Sequence, residues 1–276
     1  MNELLEISAS TWVGAVLIFA RICGAMMVLP IFSSRVIPMK IKAALGVLIA
    51  LCVAPVVVGN SPVVSSEMVM LLSSPISAAT SIAGELALGW VLGATAGILM
   101  WSAHLGGQLL SQDSGLAFGA VVDPDTGQST TPMATLMMIF AGLIFLALDG
   151  HRLVILSLCG SFEMVPPGMM GNLFNGALTP DSALIVTREM GQQIWSLGLQ
   201  IALPASIALL ITTLGIGVLA RSLPEMNVFV VGLSVRTGVG LLVLFVTLPF
   251  IADLYRFVIE MGMYGSELIL RGIGGI

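Results

Sequence analysis

The chain has 276 residues, of which 57% are hydrophobic and only 9% charged, with a net charge of −5 and a mean hydropathy of +1.07. A soluble domain typically carries about 25% charged residues, so this composition excludes a soluble globule. The acidic balance disfavours a nucleic-acid partner. Several uncharged runs reach the ~20 residues that a spanning helix needs, and the polar alternation of a membrane barrel is missing. We therefore expect an all-α membrane protein.

The first apolar run covers residues 12–32 and contains Arg21. The loop after it holds the densest basic cluster of the chain, formed by Arg35, Lys40 and Lys42. Cytoplasmic loops carry an excess of basic residues, so this loop is predicted to face the cytoplasm and the N-terminus to lie outside. The first residues carry acids and no base, unlike a signal peptide, so we expect the first helix to remain in the protein.

A second helix is predicted over residues 41–58, and a third ends near residue 103. It contains three glycines at four-residue spacing, which strip one face of side chains and let another helix approach closely. They are Gly89, Gly93 and Gly97.

Two charges interrupt these apolar runs, Arg21 in the first helix and Glu85 in the third. Because charges are costly in lipid, both are expected to face protein, water or the interface. One interpretation is an ion or proton path, and the other is pairing between helices or subunits. We predict the pairing, in which a double charge reversal restores part of the assembly that each single reversal abolishes.

The remaining apolar runs predict a fourth span over 133–148, a long helix over 182–220 and a last one over 228–251. The chain is thus expected to form about six long hydrophobic helices arranged as hairpins. In an alternative arrangement, some hairpins pack on partner subunits above the bilayer and never contact lipid.

Residues 104–132 form the one long segment whose composition does not suit the hydrocarbon core of a membrane. The segment is rich in glycine, contains three aspartates and has no lysine or arginine. Its second half has turn chemistry at Asp123-Pro124 and Thr126-Gly127. Its first half mixes glycines with leucines, which an aqueous loop does not need. We therefore consider both a plain aqueous loop and a compact, displaceable plug that packs on its neighbours.

Catalytic chemistry has little support in this sequence. His104 and His151 are the only histidines and lie far apart, and the three cysteines stand singly in apolar runs. No nucleophile motif or phosphate-binding loop is present. We expect no enzyme activity, no cofactor and no metal site.

Four segments together resemble the FliR/SctT family of bacterial export apparatus proteins, which serves flagella and injectisomes. They are RVIPMKIKAALG at 35–46, GGQLLSQDSGLAFGAVVDPDTG at 106–127, DGHRLVILSLCGSF at 149–162 and LARSLPEMNVFVVGLSVRTGVGL at 219–241. Their joint order makes the resemblance specific, and it covers nearly the whole chain. One departure is GLSVRTGVG, where the family often has a proline ahead of a basic residue.

This resemblance implies one domain over residues 1–276 that acts as a structural, pore-forming subunit of the flagellar type III protein export gate. Such a subunit is needed for export of flagellar proteins and for flagellum assembly. The implied partners are FliP and FliQ in a closed hetero-oligomeric gate, FlhB around it, membrane lipid, and unfolded export substrates in transit. The implied location is the bacterial inner membrane at the flagellar basal body.

The resemblance also implies which residues close the pore. The family's plug corresponds to residues 110–123 here, which we call the plug segment. The residues expected to form the plug are Leu110, Gly115, Leu116, Phe118, Gly119 and Asp123, with Leu116 and Phe118 making the seal. The glycine face of the third helix, Arg21 and Glu85 then become packing and assembly features. Gly150 and His151 match a further family signature to which we assign no role.

Two alternatives to the flagellar gate stay open at this point. One is an injectisome export gate subunit of the same family. The other is a secondary transporter or channel, in which residues 104–132 would be a re-entrant binding segment. A transporter predicts an inverted repeat and function without partners.

Overall fold

The computed structural model describes residues 2–29, 38–59, 74–119, 121–122, 129–168, 180–222 and 228–274. Seven α-helices account for most of these residues, and a 3₁₀ helix and a short antiparallel ribbon lie between the third and fourth. The helices are Asn2–Val28 (α1), Met39–Gly59 (α2), Pro75–Ser114 (α3), Pro132–Ala147 (α4), Gly150–Met164 (α5), Pro180–Ser222 (α6) and Val228–Gly274 (α7). The 3₁₀ helix is Leu116–Gly119, and the ribbon strands are Val121–Val122 (β1) and Ser129–Thr130 (β2).

The predicted all-α membrane class is confirmed, but the predicted count of about six spans is not. Within the described ranges, three helical stretches are long and apolar enough to cross a membrane: Pro75–Ser114, Leu184–Ser222 and Val230–Ile259. A fourth is reached if α4 and α5, which are separated by a break, count as one span. The apolar part of α1, Trp12–Val28, is shorter.

The chain divides into two compact units. The first contains residues 1–97, 149–188 and 259–276, and the second contains residues 98–148 and 189–258. Neither unit is one continuous stretch, and α3, α6 and α7 each contribute residues to both. The expected single domain over 1–276 therefore stays a prediction.

In the first unit, α1 packs against both α2 and α3. Its contact with α2 is a conventional apolar core that also takes in one residue of α5; the core residues are Ile18, Ile22, Met26, Ala50, Ala54 and Phe162. Its contact with α3 is closer. A methyl group added to Gly89 would lie 1.9 Å from the Arg21 carbonyl oxygen, and one added to Gly24 would lie 2.2 Å from the carbonyl oxygen of Leu86. Because glycines lie on both helices, the two backbones are in direct contact.

The other glycines of the predicted packing face also lie on the inner side of α3. A methyl group added to Gly93 would approach the Ala25 carbonyl oxygen to 2.5 Å. Gly97 is buried. The four-residue repeat thus follows α1 through Gly89 and Gly93, one helical turn apart.

In the second unit, the last turns of α3 pack with α4, α6 and α7. A methyl group added to Gly106 of α3 would lie 3.1 Å from the Gly198 carbonyl oxygen of α6. Gly198 in turn accommodates the side chain of Leu105. This crossing of small residues brings the two helices close together.

The structure places the end of the third helix later than the sequence predicts. Residues 104–114, assigned to the polar interruption, continue α3, and the chain leaves the helix at Gly115. The glycine content of this stretch indicated a loop. Gly106 and Gly107 instead sit inside the helix where neighbouring backbones approach, and that packing compensates for the low helix propensity of glycine.

Candidate gate segment and its supporting helices

The plug segment, residues 110–123, begins inside a helix. Leu110 is 1% exposed and belongs to the buried face of α3. Gly115 ends α3 in a left-handed conformation with φ of +79°, which favours glycine. Leu116 and Gly119 bound the 3₁₀ helix that follows, with Phe118 as its third residue. Asp123 and the side chain of Phe118 lie outside the described residues.

The short ribbon pairs residues 121–122 with residues 129–130 inside the α3–α4 loop, residues 115–131. Val121 of β1 pairs with Thr130 of β2, and Val122 pairs with Ser129. These antiparallel pairs bring the outgoing chain beside the returning chain, and the returning chain enters α4 directly.

Helix α4 supports the base of this loop. Thr131 is its N-cap, and Pro132 occupies its first position, a pair of residues suited to a helix start. The Thr131 side-chain oxygen also lies 2.6 Å from Ser111 Oγ of α3. Next to this contact, a methyl group added to Gly107 would lie 2.5 Å from the Ala134 Cα atom. The start of α4 is thus held against the last turns of α3.

Helix α6 makes a polar contact with the same end of α3. The Ser206 hydroxyl donates a hydrogen bond to the carboxylate of Asp113, which is an exposed residue. Helix α7 completes the support, because Leu233 Cδ1 lies 2.8 Å from the methyl position of Gly115. Three helices therefore fix the point at which the loop leaves α3.

The first unit contains a buried ion pair. Arg21 and Glu85 are both 0% exposed, and Arg21 Nε lies 2.6 Å from Glu85 Oε2. Arg21 Nη1 donates to Ser161 Oγ at 3.0 Å, and Nη2 donates to the Val165 carbonyl oxygen at 3.0 Å. The other carboxylate oxygen, Glu85 Oε1, accepts the backbone N–H of Gly168 at 3.0 Å.

This network joins three parts of the chain through one guanidinium. Arg21 comes from α1, Glu85 from α3, and the remaining partners from the end of α5 and the turn after it. The guanidinium also lies over the Phe162 ring, with Cζ 4.4 Å from its centroid. All three Arg21 nitrogens and both Glu85 oxygens have protein partners, which is the arrangement that a buried pair needs to be tolerated. The arrangement favours pairing between helices over an ion path.

The other polar residues singled out from the sequence remain apart. His104 Nε2 lies 2.9 Å from Gln108 Nε2 one turn further along α3, while His151 is exposed at the start of α5. The three cysteines are free. Across the described part of the chain, no three His, Cys, Asp or Glu side chains are grouped in a way that could hold a metal ion.

The turn before α5 shows why Asp149 and Gly150 interrupt the apolar sequence. Asp149 has φ of +55°, and its carbonyl oxygen accepts the backbone N–H groups of Arg152 and Leu153 at 2.9 and 3.2 Å. Gly150 is buried. These residues form a helix start, and the structure assigns no further role to His151.

Sequence reasoning assigned no part in positioning the plug segment to four residues: Ser111, Asp113, Thr131 and Ser206. Only Thr131 had a local signal, since a threonine before proline marks a helix start. The other three act through partners on different helices, which sequence spacing does not reveal.

The fold and these contacts define a class: a helical membrane protein in which the buried side chains of Arg21, Glu85 and Ser111 join helices to each other. The chain matches the family described as "Bacterial export proteins, family 1" over residues 12–261, and it belongs to that family.

Several curated proteins are similar to it over most of their length. The flagellar biosynthetic protein FliR of Pectobacterium carotovorum subsp. carotovorum is 31% identical over 84% of this chain and 83% of its own. FliR of Escherichia coli (strain K12) is 26% identical over 90% of this chain and 91% of its own. The surface presentation of antigens protein SpaR of Salmonella typhimurium is 26% identical over 88% and 84%. The predicted FliR/SctT family membership is confirmed.

Proposed function

We propose that this chain is a pore-forming, non-enzymatic subunit of the flagellar type III protein export gate in the bacterial inner membrane. The observation that carries the export function is the family match over residues 12–261. The similarity to FliR proteins, with 31% identity for the first relative described above, favours the flagellar system. The similarity to SpaR makes an injectisome gate the second candidate.

The gate function is assigned to the plug segment because of how it is held. Three helices support the end of α3, and the chain then leaves the helix at a left-handed glycine, Gly115. A fixed base followed by a glycine hinge suits a segment that obstructs a path at rest and moves aside during export. Leu116 and Phe118 are the apolar side chains proposed to form the seal.

The proposed partners are FliP, FliQ and FlhB, with unfolded export substrates in transit. Large apolar faces of α6 and α7 support this assignment. In the most apolar 18-residue stretches of α6 and α7, only 22% and 17% of the residues are buried within the chain, compared with 56% in the corresponding stretch of α3. Lipid and neighbouring subunits are the surfaces that such faces can contact.

The first test measures passive permeability of the assembled gate. The structure argues for deleting residues 116–119 rather than a longer stretch, because Leu110 and Ser111 are buried parts of α3. We expect the deletion to raise ion leakage through gates that still assemble. Substituting both Leu116 and Phe118 by serine keeps the loop length and should give the same direction. Assembled variants with unchanged leakage would refute the gate function.

The second test asks whether the chain acts alone. Co-expression with its neighbouring genes and native mass measurement should recover it inside a larger heteromeric particle. Recovery as a stable monomer or symmetric homo-oligomer with saturable solute uptake would instead indicate a secondary transporter. Export of flagellar subunits in a strain lacking the chain distinguishes the two systems. Loss of this export indicates the flagellar gate, and unchanged export indicates the injectisome gate.

A further inference from the structure

The last turns of α3 and the final residue of the α3–α4 loop meet at a pair of hydroxyl groups. Ser111 Oγ and Thr131 Oγ1 lie 2.6 Å apart although the residues are 20 positions apart in the chain. Ser111 is 0% exposed, and Thr131 is half-buried. No solvent is available to replace this contact on the Ser111 side, so its loss leaves a buried polar atom with one partner fewer.

The direction of the hydrogen bonds follows from the other partners of these hydroxyls. Ser111 Oγ also lies 2.9 Å from the Gly107 carbonyl oxygen, which can only accept. The single proton of Ser111 therefore goes to Gly107, and Thr131 donates to Ser111. Thr131 Oγ1 in turn accepts the backbone N–H of Ala134 at 3.4 Å. The result is a one-way chain from the start of α4 into α3, and such chains strengthen each of their bonds.

Gly107 makes this contact possible. A methyl group at this position would lie 2.5 Å from Ala134 Cα and 3.0 Å from the Met133 carbonyl oxygen, so only glycine lets α4 begin this close to α3. The same residue supplies both the space and the final acceptor of the hydroxyl chain.

We propose that Ser111 and Thr131 are positioning residues whose hydrogen bond holds the start of α4 against the last turns of α3. We call this contact the neck of the α3–α4 loop, and it is closed when the hydrogen bond is formed. With the neck closed, the loop is fixed at both ends and its resting position is set by Gly115, the one left-handed residue at its start. With the neck open, the loop gains freedom on the α4 side as well. This inference rests on the proposed gate function, since it explains how that segment keeps its closed position.

The test compares matched variants of the assembled gate by ion leakage and by native mass. Thr131→Val keeps the shape of the side chain and removes its hydroxyl, and Ser111→Ala removes the acceptor without touching the helix cap. Both should raise leakage about fivefold, the factor expected when one neutral hydrogen bond no longer favours the closed position. Thr131→Ser keeps a hydroxyl and should leave leakage unchanged.

The control for a buried serine is Ser81→Ala. Ser81 is also 0% exposed and donates to the Ser77 carbonyl oxygen of its own helix. It belongs to the first unit and is far from the plug segment in the sequence. This variant should leave leakage unchanged.

Three outcomes separate the possibilities. If Thr131→Val and Ser111→Ala assemble and do not leak while the 116–119 deletion leaks, the gate function stands and the neck proposal is overturned. If none of these assembled gates leaks, the gate function itself fails. If Thr131→Ser leaks as much as Thr131→Val, the hydroxyl is not the group that matters and the neck proposal is again overturned.

Discussion

The carboxylate of Glu85 receives Arg21 Nε at 2.6 Å on one oxygen and the backbone N–H of Gly168 at 3.0 Å on the other. A single acidic side chain of α3 therefore fixes both α1 and the turn after α5. Both charges are fully buried, so each depends on the other to be tolerated in an apolar environment.

Replacing Glu85 by glutamine should strongly destabilise the first unit. The substitution leaves Arg21 buried without a counter-charge and places an amide NH₂ against the donors Arg21 or Gly168. Removing one partner of a buried pair costs roughly 3–5 kcal/mol. We expect a lower melting temperature in detergent and a lower yield of the assembled particle. Glu189→Gln is the matched control, because Glu189 is exposed, and it should behave like the wild type.

The same geometry limits what a double charge reversal can restore. A glutamate at position 21 would face the Val165 carbonyl oxygen, and an arginine at position 85 would face the Gly168 N–H, so both new contacts are repulsive. The apolar double variant Arg21→Met/Glu85→Leu is the better probe. It should be less destabilised than Glu85→Gln alone, since it leaves no buried charge. A double variant as unstable as the single one would contradict this account.

Methyl groups added to the α1–α3 contact should disrupt it. At Gly89 or Gly24 the added carbon would meet a backbone carbonyl oxygen at 1.9 or 2.2 Å, and backbone cannot move aside as a flexible side chain can. Gly89→Ala and Gly24→Ala should therefore abolish or sharply reduce assembled particles in a native gel. Gly160→Ala is the control, because nothing lies within 4 Å of its methyl position and alanine favours the helix by about 1 kcal/mol.

Gly115→Ala should alter the start of the α3–α4 loop. Alanine pays roughly 1–2 kcal/mol for the left-handed conformation, and its methyl group would lie 2.8 Å from Leu233 Cδ1. We expect increased ion leakage with assembly retained. The double variant Gly115→Ala/Leu233→Ala removes the collision and keeps the backbone strain, so it should recover only part of the closed behaviour. Complete recovery would show that the backbone conformation is unimportant.

The hydrogen bond between Ser206 and Asp113 should contribute little to stability. Asp113 is exposed, so water can replace its partner, and the coupling should be at most about 1 kcal/mol. A double-mutant cycle with Asp113→Ala and Ser206→Ala, read by thermal unfolding of the assembled particle, measures it. Strictly additive single effects would mean that the two side chains act independently.

Several elements could be predicted from particular residues. Thr131 and Pro132 mark the start of α4, because a threonine cap and a proline at the first position suit a helix start. The spacing of Gly89 and Gly93 indicated a packing face, and the structure places α1 against it. Arg21 and Glu85 were expected to pair because two isolated charges in apolar runs need partners. Their further partners, Ser161, Val165 and Gly168, have no pattern that links them to α1.

The end of α3 could not be predicted for a related reason. Gly106 and Gly107 lower local helix propensity, and only the presence of Gly198 and Ala134 on other helices shows that both are contact residues inside α3. The same contacts bring Ser111 to Thr131, so the helix end and the neck of the loop were missed together.

Hydropathy and motif order are enough to predict a helical membrane protein of the FliR/SctT family, because both are local properties of the chain that need no knowledge of packing. The point where the plug segment leaves its helix, and the side chains that hold its base, are visible only in the folded chain. Those features depend on backbone approaches of a few ångströms between residues far apart in the chain. Such distances are set by how α3 packs with α4, α6 and α7. A contact glycine can be recognised only once the atom that lies against it is known.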